Sequence, residues 1–265
     1  MIDIHHHLLF GLDDGSPDLE TSVAMAEMAA DDGITHIVCT PHSNHRYHFD
    51  PAINAERLAE LQQRLDGRLT LGLGCDFHLS YDNIEDAFQN RTKYTINQKQ
   101  YLLVEFADLM IPQRIADTFY EMKMADMHPI ITHPERNHTI QRHPNRMVEW
   151  LREGCLVQVT ASSLTGRFGR TAQAMAFNYL DKNWVHIIAT DAHNLTSRPP
   201  LMREAYRIIE EKYGLETAER LCVANPRAAF NGTEFPPQPE MLGLYEEEEA
   251  VRPRKNLLTR LFSTR

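Results

Sequence analysis

Residues 1–15 read MIDIHHHLLFGLDDG, placing three histidines and two adjacent aspartates within the first turn of the chain's course. The histidine run is too short for a purification tag and continues an apolar stretch, Ile2-Asp3-Ile4, so it belongs to the fold. Strand alternation sends His5 and His7 to one face and His6 to the other. Two imidazoles on one face at a strand end can share a metal ion. Past that end, Ser16 offers a helix N-cap and Pro17 suits the first helical position, with Asp18 and Glu20 favouring a helix N-terminus. The opening therefore reads as strand, ligating loop, helix.

The same unit recurs. Apolar runs at 34–42 (ITHIVCTPH), 69–79 (LTLGLGCDFHL), 101–106 (YLLVEF), 128–135 (HPIITHPE), 155–163 (CLVQVTASS) and 184–193 (WVHIIATDAH) complete a set of seven predicted strands. Helical patterns occupy 19–32, 51–65, 111–126, 145–154, 170–183, 200–214 and 216–226. Crossovers of this length suit parallel pairing. The expected architecture is α/β, a barrel of alternating strands and helices, with an open doubly wound sheet as the runner-up.

The ligating residues fall at strand ends. The first run ends at His5 and His7, followed by Asp13 and Asp14; later runs end at His42, Asp76, Glu105, His133, and Asp191 with His193. The sixth run offers hydroxyls instead. Any one of these reads blandly as a polar strand terminus or helix cap. Their repetition at one end of successive strands is harder to explain that way, because parallel strand C-termini gather at one mouth. His6, His36 and His186 have the other phase and are expected to be hydrogen-bonded packing histidines. His45, His48, His78 and His138 are expected in mouth loops.

Composition narrows the class. The 265 residues are 42% hydrophobic, enough for a full core, and carry a formal charge of −10 that would repel duplex nucleic acid over most of the surface. No apolar run of membrane-spanning length and no secretory signal is visible, and Cys39, Cys75, Cys155 and Cys222 form no C-x-x-C. A cytoplasmic protein with reduced thiols is expected. Residues 1–233 read as the folded domain. Residues 234–265, Pro-rich, then acidic, then basic, read as a flexible extension whose end, RKNLLTRLFSTR, suits a weak membrane or partner contact.

The motifs DIHHH, GLDDG, ITHIVCTPH, GCDFHLS, LLVEF, ITHPERN, TASSLTGRFGR and ATDAHN, in this order over roughly residues 1–231, resemble the PHP (polymerase and histidinol phosphatase) superfamily. Within it the chain is most similar to the bacterial protein-tyrosine phosphatases of the CpsB/CapC/YwqE type. The resemblance implies a PHP-type distorted seven-stranded (β/α)7 barrel with a trinuclear metal site at the strand C-terminal mouth. It implies one ion on His5, His7, Asp76 and Asp191, a second on Asp76, Glu105 and His133, and a third on Asp14, His42 and His193, with Asp13 as the fallback for Asp14. Asp76 stands where a Glu is expected in many relatives, so the bridge between two ions is the open point. Arg136 and Arg198 are implied as phosphate-binding residues, with Arg167 and Arg170 weaker candidates. The implied substrate is a phosphotyrosine protein, a bacterial tyrosine kinase of polysaccharide export.

The residue types agree with this chemistry. Carboxylates and imidazoles without thiolate suit Mn²⁺, the leading expectation, or Fe or Zn²⁺. Such ions hold phosphoryl oxygens and activate water, while guanidinium groups pair with phosphate. A cysteine-based phosphatase fits poorly: CTPHSNHR, from Cys39 to Arg46, is one residue longer than C-x5-R, holds Pro41 and has no glycine. Two other classes stay open, a PHP-type phosphoesterase acting on a small metabolite such as histidinol phosphate or a sugar phosphate, and a non-catalytic protein keeping a metal site.

Overall fold

The computed structural model describes residues 1–107 and 111–245. The apolar runs become β1 (Ile2–His6), β2 (His36–Cys39), β3 (His42–Ser43), β4 (Thr70–Leu73), β5 (Asp76–His78), β6 (Tyr101–Glu105), β7 (His128–Thr132), β8 (Leu156–Thr160) and β9 (Ile187–Ala189). The result is an α/β fold with parallel sheets, one ordered β1-β2-β4 and the other β3-β5-β6-β7-β8-β9.

The run at 34–42 is stopped at Pro41 and resumes as β3, and the run at 69–79, expected to be one strand, is broken at Gly74. Pro41 has no N–H to offer a ladder and separates β2 from β3. Gly74 lies between β4 and β5, where a Cβ would sit 3.0 Å from Val38 Cγ1. Hydrogen bonding nevertheless passes across the break: Thr40 N donates to His6 O at 2.9 Å, Gly74 N to Cys39 O at 2.9 Å and Asp76 N to Pro41 O at 3.3 Å. At the other end β1 meets β9. Asp191 N donates to His5 O and His7 N to Ala192 O, both at 2.9 Å. The buried Asp3 carboxylate fastens this seam, accepting from Thr190 N at 3.0 Å and Thr190 Oγ1 at 2.5 Å.

Alternation along the strands sorts the apolar side chains into two cores. Ile2, Ile4, Val38, Leu103, Ile130, Ile187 and Ala189 form one cluster. Ile37, Cys39, Leu102, Val104, Ile131, Val157, Val159 and Ile188 face the other way and pack with helical residues such as Met25, Leu61, Phe119, Trp150 and Tyr179.

Local details differ from the sequence expectation. The first helix, Leu19–Asp31, is capped by Asp18, which accepts from Thr21 N, while the Ser16 hydroxyl donates to Asp18 O. Helix Tyr81–Gln89, not expected from the sequence, buries Ala87 and packs Ile84 and Phe88 against the core as a narrow apolar stripe. Helix His138–Arg142 is one short turn capped by Asn137. Residues 234–245, assigned from the sequence to the extension, lie against the domain: Leu242 N donates to Lys182 O, Trp184 Nε1 to Leu242 O and Arg152 Nε to Leu244 O, and Leu244 is buried. The acidic and basic remainder of the extension lies outside the described residues.

Candidate metal centre

Parallel register brings the strand ends together. His42 pairs with Asp76 across β3 and β5, and His78 with Glu105 across β5 and β6. His133 and Asp191 follow the ends of β7 and β9 with positive φ of 35° and 52°. Non-glycine residues in that region are strained, and here each is a candidate ligand.

The polar atoms crowd around two carboxylates. His5 Nε2 lies 3.4 Å from Asp76 Oδ2 and 3.3 Å from Asp191 Oδ1. His7 Nε2 lies 3.3 Å from Asp191 Oδ1 and 3.4 Å from His5 Nε2. His42 Nδ1 is 3.2 Å from Asp76 Oδ2 and 3.6 Å from Glu105 Oε2, and His133 Nε2 is 3.8 Å from Glu105 Oε1. Asp14 Oδ1 is 3.4 Å from His42 Nε2 and 3.6 Å from His193 Nε2. Donor atoms about 3.4 Å apart have the separation of two ligands held about 2.1 Å from one tetrahedral ion.

Among the described residues four potential ligand sets emerge: His7, Asp14, His42 and His193; His5, His7 and Asp76; His5, His133 and Asp191; His42, Asp76 and Glu105. Within them His42 Nδ1, Asp76 Oδ1, Asp191 Oδ1 and His193 Nε2 are buried without a hydrogen-bond partner. Buried polar atoms are ordinarily satisfied, so this concentration of orphans fits a site built for cations.

The protein's own charges reinforce the point. Burial opposes charge on His5, but Asp76 and Asp191 outweigh it and raise its pKa to about 9. His42 is raised to about 12 against its burial by the close carboxylates of Asp14, Asp76 and Glu105. Burial, aided by the Arg136 charge, lowers His133 to about 3, and burial with the His7 charge lowers His193 to about 2. Burial opposes charge on Asp191 too, yet Arg198 and Arg136 hold it well below the usual carboxylate range.

Both candidate phosphate-binding arginines reach this carboxylate. Arg136 and Arg198 each donate to Asp191 Oδ2, opposite the oxygen facing the imidazoles. The Asn194 carboxamide accepts from the N–H groups of Thr196, Ser197 and Arg198, folding the chain so that Arg198 turns back to the site. Arg167 instead donates to Thr196 O, bracing that turn, and Arg170 is exposed. Tyr47 stacks on the His42 ring, with centroids 5.9 Å apart.

Sequence reasoning did not assign the groups that orient the imidazoles, Asp13 having entered only as the fallback ligand for Asp14. Asp13 Oδ2 lies 2.8 Å from His7 Nδ1 and accepts from His42 N, while its Oδ1 accepts from Gly15 N. Gln158 Oε1 lies 3.0 Å from His5 Nδ1. Partners on the remote ring nitrogen fix which nitrogen faces a metal. Gln158 was a lone polar side chain inside an apolar run, which was the available signal. His6 corrects another expectation: it is buried, but neither ring nitrogen has a hydrogen-bond partner. His36 and His186 do bond, to Thr35 Oγ1 and Val157 N. His78 Nδ1 approaches Glu105 Oε2 at 3.7 Å, whereas His45 and His48 are exposed. His138, Glu105, His133 and Arg136 line a polar cavity of about 190 Å³.

Comparison with known proteins gives a consistent picture. The family described as capsular polysaccharide synthesis, CpsB/CapC, matches residues 1–231. The tyrosine-protein phosphatase YwqE of Bacillus subtilis is 34% identical, covering 90% of this chain and 96% of its own. The putative tyrosine-protein phosphatase CapC of Staphylococcus aureus is 35% identical, covering 78% and 82%. A crystal structure from the pair YwqE of Bacillus subtilis and CpsB of Streptococcus pneumoniae, described as unique metal-dependent tyrosine phosphatases, superposes with a TM-score of 0.84 at 32% identity over 91% of this chain and 99% of that one. The histidinol phosphate phosphatase of Lactococcus lactis shares the fold, with a TM-score of 0.53 at 10% identity over 84% and 95%.

Proposed function

The chain belongs to the CpsB/CapC family of capsular polysaccharide synthesis, and from that premise we propose that it is a metal-dependent protein-tyrosine phosphatase acting on a bacterial tyrosine kinase of polysaccharide synthesis. The observation that carries this reading is the convergence on Asp191: imidazoles on one oxygen, two guanidinium groups on the other. Names and identities of the relatives favour phosphotyrosine over a small metabolite, since the histidinol phosphate phosphatase resembles this chain in fold alone.

We read the two sheets as one distorted seven-stranded barrel, with the seam between β1 and β9 supporting closure. His5, His7, Asp76 and Asp191 would hold one ion, Asp76, Glu105 and His133 a second, and Asp14, His42 and His193 a third. The close approach of Asp76 Oδ2 to both His5 and His42 supports a bridging role despite its short arm. Mn²⁺ is the leading candidate, with Fe or Zn²⁺ compatible with the same donors.

Bound ions would supply Lewis-acid polarisation of the phosphoryl oxygens and acidify a water. The residues do the rest. Arg136 and Arg198 would exchange part of their bonding to Asp191 for the phosphate oxygens, as charge-assisted pairs. Asp13 and Gln158 hold His7 and His5 in register. Tyrosine's phenol, with a pKa near about 10, leaves with little help from a general acid, unlike a serine or threonine alkoxide. The cysteines take no part: burial raises the Cys39 thiol, and the Asp3 charge adds to it.

The test is a kcat/KM series on phosphotyrosine, phosphoserine and phosphothreonine peptides, histidinol phosphate and sugar phosphates, before and after chelation. Phosphotyrosine peptides are expected to lead, with activity lost on chelation and restored by Mn²⁺. A small alkyl phosphate exceeding them by about a hundredfold would replace this reading with the metabolic one.

A further inference from the structure

We propose that Phe168 is an aromatic wall that selects aryl phosphate esters, an inference that rests on the phosphatase reading of the site. Its ring lies against the Arg136 guanidinium, 4.3 Å from carbon to centroid. Arg136 directs its donors to Asp191 and Thr160 Oγ1, so one flank of the group that would bind phosphate is covered by an aromatic surface.

The loop presenting this ring is firmly built. The buried Glu135 carboxylate accepts from Thr160 N at 3.0 Å and Ser163 Oγ at 2.6 Å. Arg167 N donates to Ser162 O, Gly166 N to Ser163 O and Gly169 N to Gly166 O, all at 3.0–3.1 Å. Gly166 and Gly169 take φ of +84° and +86°, a backbone that side chains rarely adopt, and turn the chain on either side of Phe168. Arg167 reaches Thr196 O at 3.4 Å, tying the loop to the turn that carries Arg198. An aromatic residue is thus held half-exposed beside one arginine by a loop braced against the segment of the other.

The chemistry of the ester explains the placement. In an aryl monoester the ring carbon is bonded directly to the bridging oxygen. The ring therefore emerges beside whatever holds the phosphate. A rigid aromatic face there can pack against Phe168, whereas an alkyl ester presents no such face. Aromatic pairs contribute about 0.5–1.5 kcal/mol beyond burial.

Calorimetry on metal-loaded protein with inorganic phosphate, phenylphosphonate and butylphosphonate tests the assignment. Phe168→Leu keeps an apolar cover on Arg136 without a ring, and Phe168→Tyr keeps the ring. The Leu variant is expected to bind phenylphosphonate about threefold to tenfold more weakly, with phosphate and butylphosphonate changed by less than about twofold and the Tyr variant near wild type. Equal weakening of all three ligands would mean that Phe168 acts only through Arg136, and no weakening would mean that it selects nothing; either overturns the proposal. Wild-type protein binding none of the three would instead refute the phosphatase reading beneath it.

Discussion

Asp13 and Asp14 are neighbours in sequence and opposites in role. Asp14 is exposed and aims Oδ1 at His42 and His193. Asp13 turns inward behind His7, fixed by the N–H groups of Gly15 and His42. Spacing alone could not separate them, because both lie in a loop without periodicity. Gly15 belongs to the same device, since a Cβ there would meet His7 O at 2.3 Å. Partners behind a metal-binding imidazole typically change affinity about 10–100-fold, so Asp13→Ala is expected to weaken metal binding by that factor. Arg198→Ala is expected to keep its metal and lose about tenfold or more in phosphate affinity, because a charge-assisted hydrogen bond disappears. Metal titration with elemental analysis, paired with phosphate inhibition, checks both arms. Metal loss in the arginine variant, or wild-type metal affinity in the aspartate variant, would contradict the division of labour.

At the level of strands and helices, the apolar runs and the polar residues ending them were readable because burial and function occupy separate parts of each run. His42, Asp76, Glu105, His133 and Asp191 each close a largely apolar run, and the parallel register pairs His42 with Asp76 and brings the later run ends alongside. The stop at Pro41 was readable from proline's missing N–H, whereas the break at Gly74 was not, since Cys75, Phe77 and Leu79 continue the apolar pattern beyond it. Helix Tyr81–Gln89 escaped because it is only nine residues long, although Ile84, Ala87 and Phe88 do follow helical spacing. The β1–β9 seam was invisible for a different reason: Asp3 resembles an ordinary outward-facing strand residue, yet it is fully buried against Thr190. Asp3→Ala removes the acceptor for Thr190 N and Oγ1 and leaves buried donors unsatisfied, a cost of about 1–3 kcal/mol for each group. A fall in Tm of about 5 °C or more is expected, with a smaller fall in Asp3→Asn, whose amide can still accept from Thr190 N. Thermal scans that place both variants at the wild-type Tm would show that the seam does not depend on this carboxylate.

The described residues are organised around two apolar clusters, one made mostly of strand residues and one between strands and helices, with the polar candidate site at the strand C-termini. The opposite end carries the contact that moves the boundary of the folded unit past residue 233. Trp184, just before β9, donates to Leu242 O; Asn183 Nδ2 donates to Glu240 O; Arg152 holds Leu244 O and lies under the Tyr245 ring. Composition suggested an extension here because proline and charge dominate the segment, while its anchors are single apolar residues and backbone carbonyls. Asp191 leaves β9 at the far end from Trp184, so stability and site are separable in this region. A chain ending at 233 is therefore expected to unfold earlier than one ending at 245. Loss of Leu244 burial and the associated hydrogen bonds is worth about 2 kcal/mol, or about 4–8 °C at this size. Metal content and phosphotyrosine hydrolysis at low temperature are expected to stay unchanged. Equal Tm values would return the boundary to 233, and loss of metal on truncation would show that residues 234–245 support the site as well as the fold.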